Sequence, residues 1–138
     1  EEVGVAPLPP VEVDFNAPEL PDAVLAHLTA HATRPTALFC SNDLLAMVVM
    51  RGLRRAGFSI PDDLSVLGFD GIAIGELLAP PLASVATPNR DIGRHAWQRL
   101  VECIDGAPID RTPMILPHAV RDGATIAPPA TDLQLRNA

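Results

Sequence analysis

Residues 34–70 read "RPTALFCSNDLLAMVVMRGLRRAGFSIPDDLSVLGFD", and the order of residue types in this stretch decides the fold class. Residues 36–40 are a short uninterrupted apolar run, the pattern of a parallel strand covered on both faces. Ser41, Asn42 and Asp43 follow. Asn and Asp are strong helix N-caps, because their side-chain oxygens accept from the unpaired N–H groups of the first turn. The helix they open runs to about Ala56 and stops at Gly57, where a left-handed residue ends helices. After the turn around Pro61, residues 64–69 form another apolar strand. Strand, helix and strand at this spacing predict a right-handed βαβ unit in a parallel sheet. The chain is read as α/β with a parallel sheet.

Working outward, the alternation in "VEVDF", residues 11–15, predicts an earlier strand. A helix should start near Ala17 or Pro18, with Val24, Leu25, Leu28 and Ala32 as its apolar stripe. Downstream, "DGIAIGELLAPP" holds a helical turn or two, and "LASVAT" is a short strand. Thr87 then caps a helix with Pro88 at its first position. Ile92, Ala96, Leu100 and Ile104 form the stripe of that helix, and Gly106 ends it. "MILPHAVRDGATIAPP" reads as a final strand interrupted by proline, and residues 130–138 as a tail.

With 138 residues the chain is long enough for one domain or a piece of one. All ten basic residues are Arg, against seventeen acids, for a formal net charge of −7. Nucleic-acid binding needs a basic footprint to neutralise phosphates, so this chain by itself is a poor DNA binder. The cluster Arg51, Arg54 and Arg55 is the solvated end of a helix, where cations suit the dipole. Cys40 and Cys103 lie in apolar surroundings without metal-ligand spacing and read as buried free thiols. They fit a reducing, cytoplasmic setting, and no stretch reads as a membrane span.

In open parallel sheets, ligands sit outside the carboxyl ends of the strands. The expected strands end there in Asp14, Phe15 and Asn16, in Ser41, Asn42 and Asp43, and in Asp70. Carboxylate, carboxamide and aromatic groups on one rim suit a polyhydroxylated or heterocyclic small molecule. Each residue also has an ordinary structural reading. Asn42 and Asp43 are helix-capping types, Asp70 before Gly71 is a turn signal, and Phe15 fits a core. No motif for nucleophilic, phosphate-binding or metal-dependent catalysis is present. His27 and His31 share a helix face without a third ligand, and His95 and His118 stand alone. No catalytic residue, metal or cofactor is therefore expected.

The blocks "RPTALFCSNDLLAMVVMRGLRRAGFSIPDDLSVLGFDGI", "PPLASVATPNRDIGRHAWQRLVECIDG" and "ILPHAVRDGATIAPP" together resemble the C-terminal part of the effector-binding core of bacterial LacI/GalR transcription regulators. The resemblance covers about residues 11–129. It implies two Rossmann-like subdomains of the type I periplasmic-binding-protein kind, which close on a small molecule, preceded by a helix-turn-helix head. Neither the head nor the first subdomain falls within these residues, nor does the start of the second. Residues 1–85 would be a partial effector-binding subdomain and 86–116 a crossover whose helix belongs to the other subdomain. Residues 117–129 would be the returning strand.

Carried onto this chain, the resemblance assigns ligand contact to Phe15, Asn42 and Asp70, and to Thr87, which stands where the family often has Gln. It places Met47, Met50, Arg51 and Leu78 at a homodimer interface. The effector would be a sugar or sugar derivative, with a nucleobase as another option, and DNA would be reached only through the head. Two other readings share the fold class. One is an exported, monomeric sugar-binding protein of an ABC transporter, and the other is a small Rossmann-like transferase. The resemblance also implies that helix 91–104 lacks its native sheet here, so that it should repack on the same sheet, exchange between chains or meet a second polypeptide.

Overall fold

The computed structural model describes residues 7–14, 20–30, 34–109 and 111–129. The order of elements is α1 (Leu20–Ala30), β1 (Ala37–Phe39), α2 (Asp43–Arg55), β2 (Ser65–Asp70), a 3-10 turn (Ala73–Leu77), β3 (Ala83–Ala86), α3 (Asn89–Ile104) and β4 (Ala119–Arg121). The sheet order is β1-β2-β3-β4. β1, β2 and β3 run parallel, and β4 returns antiparallel beside β3. The expected α/β class and parallel-dominated sheet are therefore found.

The core lies between the sheet and two helices. α2 packs on β2, and α1 packs on α2. Val24 and Leu28 of α1, Ala46, Val49, Met50 and Leu53 of α2, and Cys40, Leu64, Val66 and Leu82 around the strands form one buried cluster. Each large aliphatic side chain fully buried there contributes about 1.5–3 kcal/mol. Burial pushes the Cys40 thiol up to about 12, with the nearby Asp43 carboxylate adding to the effect. It stays a protonated, poorly nucleophilic thiol through the neutral range.

Several expectations are corrected. Residues 11–14 form no strand. Val13 packs against the core without a ladder, since β-propensity makes no strand where no partner strand lies alongside. Phe15 and Ala32 lie outside the described residues. The sheet is covered on one side only among the described residues: Phe39 is 59% exposed and Val120 64%, so the apolar run of β1 does not signify burial on both faces. The last strand shortens to β4, because Pro117 and Gly123 bound it.

α3 departs furthest from expectation. None of its sixteen residues is buried, so helix 91–104 does not repack on the sheet. Ile92, Leu100, Ile104 and Trp97 are exposed, and so is Cys103, which was expected to be buried. Thr87 does not cap this helix either: the N-cap is Pro88, with no side-chain hydrogen bond. Gly106, at φ +89, does follow its end.

Candidate functional site

The parallel register aligns the carboxyl ends of the first strands. Phe39 lies level with Leu67, and Asp70 with Ala86. Asn42 and Asp70 are thus equally far past a common pair, and Thr87 comes next along β3, so these three expected residues share one rim. All three are half-buried.

Asn42 is the N-cap of α2, in extended backbone at φ −156 and ψ 166, and its Oδ1 accepts from the Leu45 N–H at 2.7 Å. The capping role expected of one member of the pair therefore falls to Asn42. Its oxygen is committed and its Nδ2 remains as a donor at the rim. Asp43 begins the helix, is 1% exposed and points inward.

Asp70 has φ 107, and it is the single non-glycine residue at positive φ among the described residues. A side chain there collides with its own backbone more than in the ordinary regions, and such strain is commonest at functional sites. The chain turns at once through Gly71, at φ +69, where an added Cβ would lie 2.7 Å from the Cα of Ala86. Both the Thr87 N–H and the Thr87 hydroxyl lie 3.3 Å from the Asp70 carbonyl oxygen. The hydroxyl is also 3.0 Å from Asn89 Oδ1, a second acceptor for its one proton. Thr87 thus joins the β3 end to the β2 end.

An aromatic group on the uncovered sheet face escaped sequence reasoning. The Phe69 ring meets Phe39 edge-on with centroids 6.3 Å apart, and His118 lies 6.1 Å from it, tilted by 42°. His118 is therefore not alone. Its place depends on the antiparallel return of β4, which no local pattern announced.

Of the residues assigned to a dimer interface, Met50 is 2% exposed and part of the chain's own core. The structure thus removes it from any surface. Met47 is half-buried, Arg51 is exposed, and Leu78 is half-buried against the core. Much of the apolar circumference of α2 is used within one chain, between the sheet and α1. No helix among the described residues is long and apolar enough to cross a membrane.

The pattern of a periplasmic binding protein-like domain matches residues 2–126. The HTH-type transcriptional repressor PurR of Vibrio campbellii is 43% identical over 88 residues, 62% of this chain and 26% of that protein. The chain spans about a quarter of the length of such curated relatives. Among solved structures, a LacI family transcriptional regulator from Arthrobacter sp. FB24 in complex with lactose superposes with TM-score 0.67 at 32% identity, covering 77% of this chain and 40% of that one. Another, from Enterococcus faecium with bound ribose, gives TM-score 0.67 at 31% identity over 78% of this chain and 39% of its own. With its parallel sheet and its ordered motifs, the chain belongs to the periplasmic binding protein-like domain family, as the C-terminal part of the core of LacI/GalR-type regulators.

Proposed function

We propose that this chain is the small-molecule effector-binding and dimerisation part of a DNA-binding transcription regulator, without enzymatic activity. The observation that carries the reading is Asp70. An acidic residue held at φ 107 on the rim that Asn42 shares is a costly arrangement for a mere turn. Asp70 would accept hydrogen bonds from ligand hydroxyls or ring N–H groups, Asn42 Nδ2 would donate one, and the Thr87 hydroxyl would extend the row. Phe15 would add a stacking face. Polyhydroxylated ligands fit this set, and lactose and ribose occupy two structural neighbours.

Ligand bound here would favour one state of the core and shift the DNA-binding head, by no more than its differential affinity for the two states. DNA contact by this chain itself is disfavoured by its net charge of −7. A cytoplasmic setting follows from that role. The test is a thermal-shift screen of the full-length protein against lactose, ribose, adenine and guanine, repeated with Asp70→Ala. Loss of one charge-assisted hydrogen bond at a desolvated site should weaken binding at least about tenfold. An undiminished shift in the variant would remove Asp70 from the site.

The dimer part of the proposal uses the surface α2 retains. Met47 and Arg51, with Leu78, would face their counterparts across a twofold axis. Sedimentation of the full-length protein at micromolar concentration should give a dimer, and Met47→Asp should give a monomer. A wild-type protein that sediments as a monomer would end this part of the reading.

A further inference from the structure

Asp43 is buried with its charge in use. Its Oδ2 accepts from the Ile72 N–H at 2.7 Å. Its Oδ1 accepts from the Ser84 hydroxyl at 2.5 Å, and that hydroxyl oxygen accepts from the Gly71 N–H at 3.1 Å. Ser84 is 2% exposed. The fit is close, since a Cβ on Gly68 would stand 2.2 Å from Asp43 Oδ1. On the far side of the turn, Arg121 Nη1 donates to the Ile72 carbonyl at 3.3 Å and pairs with Glu76 at 3.0 Å.

Both backbone amides that follow Asp70 are thus tied, directly or through Ser84, to one carboxylate on the first residue of α2. Backbone in a sparsely populated region persists only where its surroundings over-determine it. A first-turn acid serving only the helix dipole sits at the surface, whereas this one is turned across to the next strand. Desolvating a carboxylate is offset only by good charge-assisted bonds, and these bonds end on the Gly71–Ile72 backbone.

We infer that Asp43 is a positioning residue for the rim: without reaching the ligand, it holds the turn of residues 70–72 so that Asp70 presents its carboxylate at the strand ends. The adjacent pair divides its labour, Asn42 capping α2 and Asp43 fastening the β2 turn to that helix. The turn and the N-terminus of α2 therefore move as one unit. The ligand half of this inference rests on the proposed role of Asp70, while the holding of the turn does not.

The test is Asp43→Asn in the full-length protein, with Ser84→Ala as the milder companion should the first fold poorly. An amide in place of the carboxylate loses one of the two acceptors. Hydrogen exchange at the Gly71 and Ile72 amides should accelerate about tenfold or more, as expected for losing a hydrogen bond to a charged group. The amides of Val49, Leu53 and Val66 should keep their protection. Affinity for whichever of lactose, ribose, adenine or guanine stabilises the wild type should fall about tenfold, the ligand-side reading of the same loss.

Unchanged exchange at Gly71 and Ile72 would overturn the inference. So would equal acceleration throughout α2 and β2, which would make Asp43 a general fold residue, and so would full affinity despite a loosened turn. Full affinity in Asp70→Ala, with the turn still loosened by Asp43→Asn, would instead overturn the ligand role of Asp70 and leave the fastening standing.

Discussion

Gly71→Ala is expected to destabilise the protein by about 2–5 kcal/mol, the sum of a conformational and a packing cost. The conformational cost arises because φ is +69 there, a region that L side chains enter only against the clash of Cβ with backbone. The packing cost arises because the new methyl would lie 2.6 Å from the Cβ and 2.7 Å from the Cα of Ala86. Neither atom is the end of a flexible side chain, so β2 and β3 must separate at the rim or the turn must unwind. Gly57→Ala isolates the first cost, since Gly57 sits at φ +87 with nothing within 4 Å of the added methyl, and it should lose only about 1 kcal/mol. Urea unfolding of the two variants separates the contributions. Equal losses would show that the strand ends have room at Gly71, which is incompatible with their close approach. Because Gly71 follows Asp70 directly, the same variant should also weaken any ligand that Asp70 holds.

The unit from residue 34 to 70 was legible because local signals agree there. An apolar run, a capping pair, a helix closed by Gly57 and a second apolar run each point to the same βαβ unit, and the structure has it. The positions of Asn42 and Asp70 on one rim followed from strand order alone, whereas Thr87 came only from the family resemblance. What sequence could not supply was the fate of partners distant along the chain. "VEVDF" alternates well, yet Val11 to Asp14 find no strand to pair with. The stripe of α3 is amphipathic in sequence, yet no buried surface meets it, because amphipathicity says that a helix has an apolar face and not what covers it. Met50 was assigned to a partner by the family resemblance. α1, packed on α2, accounts for much of the apolar face of that helix. Asp43 was visible as a capping type, but its bonds run to Ile72 and Ser84, which no local spacing reveals.

Thr125→Val should cost about 2–6 kcal/mol although it changes the shape of the side chain hardly at all, because it strands two buried backbone groups at roughly 1–3 kcal/mol each. Thr125 is fully buried. Its hydroxyl accepts from the Ala83 N–H at 2.9 Å and donates to the Val66 carbonyl at 2.7 Å, so it bridges β2 and β3 where they begin. Its own carbonyl accepts from the Val66 N–H at 2.8 Å. The neighbours repeat the device: Ser65 Oγ lies 3.1 Å from both the N–H and the carbonyl oxygen of Ala127, and the Ala124 N–H donates to the Pro81 carbonyl. The chain that returns through β4 is therefore fastened at the end of the sheet opposite the rim. β3 leads out to α3 and β4 leads back from it, with Ala86 opposite Ala119 where they part. β3 is thus held at both ends, by Thr125 where it begins and by Thr87 on the Asp70 carbonyl where it leaves the sheet. Thr125→Ser keeps the hydroxyl and should cost only about 1 kcal/mol for the lost methyl. A Val variant no less stable than the Ser variant in urea unfolding would mean that β2 and β3 close directly on each other without the bridge, and the fastening would then lie in the backbone of residues 124–127 alone.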